Sequence, residues 1–330
     1  MTNRTPQHVS RLAPSPTGAL HLGNVRTFLV NWALARRSGW HLPLRIEDLD
    51  SPRIKPESVR QIHDIFAWLG ITFDGIPITQ SHDLTPYRTA MRTLAERRHL
   101  FACTLTRAEI EHAASAPHAG DHELVFPRHL RPDPTHHPST NDVQLRDNTN
   151  YRFIVNDENI TIHDRIMGRT TFRPRDDIGD FIVWTRRGTP AYQLAVVVDD
   201  IRQHVTDVVR GDDLLPSAAR QTLLYRALGH TPPDWWHLPL VYGTDGLRLA
   251  KRHGDTRITT YRDQGVRPER VIGLMARWSG VDTGPAAGGT GDQREMTADA
   301  FAEAFDLDRL PRTRVVFTRE DDAWLQGGSS

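Results

Sequence analysis

The sequence predicts an α/β protein built on a parallel sheet, and three observations carry that expectation. Residues 9–46 read as strand, turn, helix, strand. An apolar entry at Val9 leads into a Pro- and Gly-rich turn. Val25, Phe28, Leu29, Trp32 and Ala35 then share one helical face, Gly39 stops the helix, and a second strand covers about 42–46. The turn therefore lies between a strand end and a helix N-terminus, where parallel sheets bind ligands. Strand and helix patterns also keep alternating over 151–228. Within that stretch the 191–200 segment, with its run Ala195-Val196-Val197-Val198, reads as a strand buried on both faces that returns the chain to the main sheet.

The remaining elements follow in order. Residues 57–69 form a helix with Val59, Ile62, Ile65, Phe66 and Leu69 inward, and 87–100 form another with Met91, Leu94 and Ala95 inward. From 113 to 150 the chain is rich in Pro, Asp and His and reads as an irregular loop. Segments 151–155, 159–164 and 181–185 alternate as strands, with 164–168 a connection. Residues 208–215 are a strand end feeding a helix over 217–228. The stretch 258–279 is helical, and 281–293, rich in Gly, Ala and Thr, reads as a linker.

Composition narrows the class. The 330 residues suffice for about two domains. Forty-one basic residues balance 41 acidic ones, so net charge announces no nucleic-acid partner, and such a partner needs local patches such as Arg36-Arg37, Arg97-Arg98 or Arg186-Arg187. A single cysteine excludes a disulfide framework and fits a reducing compartment. The N-terminus lacks an apolar signal core, and no window is apolar enough to span a bilayer. A cytoplasmic enzyme with no membrane partner is expected.

The first turn carries the most chemistry. Gly18 and Gly23 let backbone approach a ligand, the helix N-terminus offers N–H groups to a phosphate, and His21 adds a donor. The turn is neither a P-loop nor a dinucleotide fingerprint, which need a Lys-Ser/Thr or a third Gly. Residues 11–24, Arg-Leu-Ala-Pro-Ser-Pro-Thr-Gly-Ala-Leu-His-Leu-Gly-Asn, followed by Arg45-Ile46-Glu47-Asp48-Leu49-Asp50, resemble the start of a glutamyl-tRNA synthetase, a class I aminoacyl-tRNA synthetase. His21-Leu22-Gly23-Asn24 matches the HIGH signature, with Asn24 in place of its last His. Val209-Arg210-Gly211-Asp212-Asp213-Leu214-Leu215 is similar to the family's Val-Arg-Gly-x-Asp-Leu-Leu. Residues 248–252 are similar to the KMSKS loop, with Arg248 for its first Lys, Ala250 for its Ser, and Lys251 kept.

The resemblance implies a Rossmann-like catalytic domain in two halves, 1–100 and 191–256, around an inserted acceptor-binding-type subdomain at 101–190. A helical region at 257–330 follows, with no room left for an anticodon-binding domain. It implies ATP contacts from Pro14, Ser15, Pro16, Thr17, Gly18, His21, Gly23, Asn24 and Lys251. It implies glutamate contacts from Arg11, Leu12, Ala13, Pro14, Ser15, Glu47, Tyr192 and Arg210. His21 and Lys251 are the catalytic candidates, and Mg2+ accompanies ATP. Many relatives carry Cys-x-Cys where this chain has Cys103 and Leu105. Four ligands for a structural zinc would then need His112, His118, His122, His129, His136 or His137, whose spacing is irregular, so the zinc pattern is read as lost.

Glutamate offers two carboxylates and one ammonium. A pocket for it uses Arg11 and Arg210 as cations, Glu47 as the anion, and Tyr192 and Ser15 as neutral donors. The lack of an anticodon-binding domain resembles the glutamyl-queuosine tRNA(Asp) synthetases, which attach glutamate to the queuosine base in the anticodon loop. Two alternatives stay open. One is a short enzyme charging the 3′ end of tRNA(Glu). The other is a catalytically silent paralogue acting as a binding or regulatory module.

Overall fold

The computed structural model describes residues 8–16, 19–49, 56–113, 125–133, 145–249, 256–282 and 295–327. The expectations at Thr17, Gly18, Asp50, His118, His122, His136, His137, Ala250 and Lys251 lie outside these residues, as do the side chain of His112 and most of the linker.

In chain order the elements are α1 (Leu22–Ser38), β1 (Pro43–Ile46), α2 (Pro56–Leu69), β2 (Asp74–Thr79), α3 (Thr85–Glu96), β3 (Leu100–Cys103), α4 (Arg107–Ala113), β4 (Asn150–Phe153), β5 (Ile160–Asp164), β6 (Gly168–Phe172) and β7 (Phe181–Trp184). Then come α5 (Tyr192–Arg202), β8 (Asp207–Gly211), α6 (Leu215–Leu228), β9 (Asp234–Leu238), β10 (Val241–Tyr242), α7 (Ile258–Asp263), α8 (Pro268–Trp278), α9 (Ala298–Ala304), β11 (Val315–Val316) and α10 (Arg319–Leu325).

The expected parallel α/β layer forms. β1 pairs in parallel with β2 on one side and with the extended segment 9–12 on the other, at Val9–His41 and Leu12–Leu44. The Thr206 and Asp207 N–H groups donate to the Val9 carbonyl, which brings β8 alongside that segment. β8 runs parallel to β9, and β9 meets the β5–β6 hairpin at Asp164–Trp235. A separate antiparallel sheet has the order β3-β4-β7. Apolar residues of α1, α2, α8 and α9 pack in one core with β1, and those of α3, α5 and α6 pack in a second with β4 and β7.

The 191–200 segment departs from expectation: it is the buried helix α5, not a strand. A short continuous apolar run fits a buried helix as well as a buried strand, and periodicity cannot separate them. The local β preference of three valines yields here to tertiary packing, since Gln193 through Asp200 are all buried in the helix. The chain therefore returns to the main sheet at β8. Three smaller differences have local causes. The helix expected over 87–100 ends at Glu96, and the chain turns through Arg98, at φ 57°, into strand pairing with β4. The helix expected over 258–279 is two helices, divided by Gly265 at φ 81° and restarted by Pro268 in the first turn of α8. The 164–168 connection opens a hairpin whose second strand is β6, with Gly168 at φ 77°.

Cys103 points into a small apolar cluster with Phe101, Ile110 and Phe126, and Leu105 packs against it. Arg152 lies over the Phe126 ring at 4.3 Å. The two positions where many relatives carry Cys-x-Cys thus take part in hydrocarbon packing.

Candidate active site

The site lies where segment 9–12, β1 and β8 end beside the start of α1, around a cavity of about 210 Å3. Arg11, Ala13, His21, Gly23, Asn24, Glu47, Tyr192 and Arg210 all line it. Leu12, Pro14 and Pro16 are buried and Ser15 is half-buried, and none of them lines this cavity. Thr17, Gly18 and Lys251 fall outside the described residues.

His21 is the N-cap of α1. Its Nδ1 accepts from the Gly23 N–H at 3.2 Å, and Asn24 returns the favour by accepting from the His21 N–H at 3.2 Å. An accepting Nδ1 leaves the neutral ring its proton on Nε2, so the side chain presents a donor. Burial, aided by Arg248, pushes the imidazole pKa down and keeps it neutral. The turn is tied to the chain beyond residue 255: Leu22 N–H donates to the Thr256 carbonyl and Ile258 N–H to the Leu20 carbonyl. Arg248 lines the same cavity and reaches Asp213 Oδ2 at 2.6 Å. The segments bearing the two signature motifs are therefore neighbours.

Behind Arg11 and Glu47 the cavity wall is backed by a buried, charged group. Arg45 donates to Asp200 Oδ1 at 2.7 Å, to Glu47 Oε1 at 3.0 Å and to Gln203 Oε1 at 2.7 Å. Arg11 Nε reaches the same Asp200 oxygen at 3.3 Å. Burial raises the Glu47 carboxyl pKa, against the opposing pull of Arg45 and Arg11. Burial likewise raises the Tyr192 phenol.

Arg210 differs from both other arginines. Its Nε–H donates to His237 Nε2 at 3.0 Å, Nη1 to Gln221 Oε1 at 2.8 Å and Nη2 to the Leu214 carbonyl at 3.2 Å, and its plane lies 5.0 Å from the Trp235 ring. Imidazole, amide and peptide carbonyl are all neutral. Among the described residues no carboxylate forms an ion pair with it, although it is only 5 % exposed. Burial lowers its pKa, but a guanidinium stays charged. Arg11 and Arg45 pair directly with Asp200, and Arg45 with Glu47, whereas the carboxylate behind Arg210, Asp164, is separated from it by His237.

Gly211 lines the cavity for a steric reason. A Cβ there would come within 2.7 Å of both Asp213 Oδ1 and a Leu240 methyl carbon.

The family description "tRNA synthetases class I (E and Q), catalytic domain" matches residues 8–323. The chain belongs to this family. A relative from Rhodopirellula baltica named glutamyl-Q tRNA(Asp) synthetase is 43 % identical over 320 residues, 93 % of this chain and 94 % of that one. A glutamate–tRNA ligase 2 from Chelativorans sp. is 39 % identical over 322 residues, 97 % of this chain and 64 % of that one. The structure of a glutamate tRNA ligase from Elizabethkingia meningosepticum in complex with its amino acid superposes with a TM-score of 0.75 and 26 % identity, over 97 % of this chain and 68 % of that one.

In this synthetase family member, sequence reading overlooked the groups behind the cavity wall. Asp200, Arg45 and His237 touch the candidate residues Arg11, Glu47 and Arg210 from behind, and Asp164 in turn holds His237. The Asp199-Asp200 pair at the end of an apolar run was a visible signal. His237 and Asp164, 73 residues apart, meet only because β5 and β9 are neighbours.

Proposed function

We propose that this chain activates L-glutamate with ATP to glutamyl-adenylate and transfers the glutamate to the queuosine base in the anticodon loop of tRNA(Asp). The observation that carries the activation step is the charge pattern of the cavity: a buried, unneutralised Arg210 facing a pocket that also holds Glu47. Glutamate fits it with its side-chain carboxylate on Arg210, its ammonium on Glu47, and Tyr192 and Arg11 completing the wall. The α-carboxylate then faces the start of α1, where Gly23, Asn24 and the helix N-terminus receive the nucleotide.

A carboxylate oxygen of glutamate attacks the α-phosphorus, the bond to the bridging oxygen breaks, and pyrophosphate leaves with the electron pair. Neutral His21 donates from Nε2 toward phosphate oxygens as negative charge builds, and Lys251 supplies the matching cation. Pro14, Ser15, Pro16, Thr17 and Gly18 are the proposed ATP contacts that precede α1. Mg2+ accompanying ATP would offset the charge of the triphosphate. The described residues contain no cluster of three or more His, Cys, Asp or Glu side chains to bind it alone. No side-chain nucleophile is needed, because the adenylate is itself the acyl donor.

Near end-to-end similarity to a glutamyl-Q tRNA(Asp) synthetase supports the acceptor. Charging of tRNA(Glu) is the second reading, favoured by the 39 % identity to a glutamate–tRNA ligase. No described helix is long and apolar enough to cross a membrane; the tRNA acceptor of this reading calls for a cytoplasmic enzyme. Glutamate-dependent ATP–pyrophosphate exchange tests activation. Exchange without tRNA is the expected result, and no exchange with or without tRNA would overturn catalysis altogether.

A further inference from the structure

We propose that Asp164, His237 and Gln221 are positioning residues that hold Arg210 as a fixed but unneutralised cation, and so set the preference for a carboxylate over an amide side chain. The proposal rests on the glutamate reading of the cavity.

The chain of bonds fixes every role. Arginine has no acceptor, so the His237 Nε2 that meets Arg210 Nε–H at 3.0 Å must be the lone-pair nitrogen. The proton is then on Nδ1, which donates to Asp164 Oδ2 at 2.6 Å. Asp164 is itself immobile. Its Oδ1 accepts from the Ile166 and Met167 N–H groups at 2.9 and 2.8 Å, and the backbone N–H of His237 approaches both of its oxygens. Burial alone would raise the Asp164 carboxyl, but the bonds from His237 and these N–H groups hold it below the ordinary carboxylate value. His237 is fully buried and its ring lies against Trp235, which also carries the Arg210 guanidinium.

A direct carboxylate partner would hold Arg210 as firmly but would cancel its charge. An imidazole interposed between the arginine and Asp164 supplies an acceptor of fixed direction without that cancellation. Gln221 and the Leu214 carbonyl do the same for the other two nitrogens. The two remaining N–H groups keep their charge for a ligand. A glutamine amide offers Arg210 a single neutral oxygen, whereas a carboxylate offers two charged ones, so a rigid cation separates the two.

The experiment is exchange kinetics on the full chain, with and without tRNA, for His237→Asn and His237→Gln. An Asn amide reaches the place of Nδ1, so it keeps the bond to Asp164 but leaves Arg210 Nε–H without its acceptor. A Gln amide oxygen reaches the place of Nε2 and restores that acceptor. His237→Asn is expected to raise the glutamate KM by about 10- to 100-fold, the scale for losing one hydrogen bond to a charged group. The ATP KM should not move, and the glutamate-to-glutamine ratio of kcat/KM should shrink. His237→Gln should recover most of the loss. Should His237→Asn fail to fold, Asp164→Asn is read in the same way and is expected to raise the glutamate KM without changing the ATP KM. Two results would overturn the proposal: an unchanged glutamate KM in His237→Asn, or equal losses for glutamate and ATP in both His237 variants. If Arg210→Ala leaves the glutamate KM unchanged, the glutamate reading of the cavity fails, and this proposal with it.

Discussion

Glu47 sits where two opposing influences meet. Desolvation favours its neutral form, while Arg45 and Arg11 favour the carboxylate, and the balance leaves its pKa above the ordinary value. Its job in the proposed pocket is to meet an ammonium, which only the carboxylate can do. As pH falls through this raised pKa the group gains a proton and the ammonium loses its partner. The kcat/KM for glutamate, which reports the free enzyme, should therefore fall on the acid side with a midpoint above that of a solvent-exposed glutamate. Glu47→Gln should lower kcat/KM at neutral pH by about 100-fold, the scale for losing one buried charge partner, and should abolish that limb. An acid limb unchanged in Glu47→Gln would assign the titration elsewhere. At this scale the sequence was informative about which residues share the cavity. The types of Arg11, His21, Glu47, Tyr192 and Arg210 suit an amino acid and a nucleotide, and the structure brings all five to one cavity. The supports behind them were not legible. Asp200 reaches Arg11 and Arg45 from 189 and 155 positions away, and such pairs leave no local pattern.

Helices and strands were legible where one face is apolar and the other wet. α1 and α2 follow their stripes to within a residue or two. α5 was not legible, because a helix enclosed on all sides has no wet face to mark its period. Its ends show what the alternation rule missed: Asp199 accepts from Tyr87 and Gln80, while Asp200 accepts from Arg11 and Arg45. Adjacent side chains of one helix thus serve two different neighbours. The turn after α8 makes a further demand on the sequence. Gly280 has φ 72°, and a Cβ there would run into the Arg309 carbonyl. Gly280→Ala combines left-handed strain with a backbone clash and should lower stability by about 2–4 kcal/mol. Thermal or denaturant unfolding checks this, and a change under about 0.5 kcal/mol, the range of ordinary surface substitutions, would contradict the packing described.

Across the whole molecule, the cavity is assembled from pieces far apart in sequence: the 9–24 turn, the end of β1, the start of α5, the end of β8 and the segment around Arg248. The parallel layer brings these ends to one edge, which is where such sheets place ligands. That much follows from the alternation of strands and helices, together with a resemblance carried by a few short motifs. The acceptor is not written in the cavity, since activation is the same chemistry whichever tRNA follows. Its assignment rests on similarity to relatives whose names differ in the tRNA they give. The most direct measurement is transfer of labelled glutamate to three purified tRNAs: tRNA(Asp) with queuosine, tRNA(Asp) without it, and tRNA(Glu). Label on queuosine-containing tRNA(Asp) alone is the expected result. Label on tRNA(Glu) alone would contradict it and make the chain a glutamyl-tRNA synthetase.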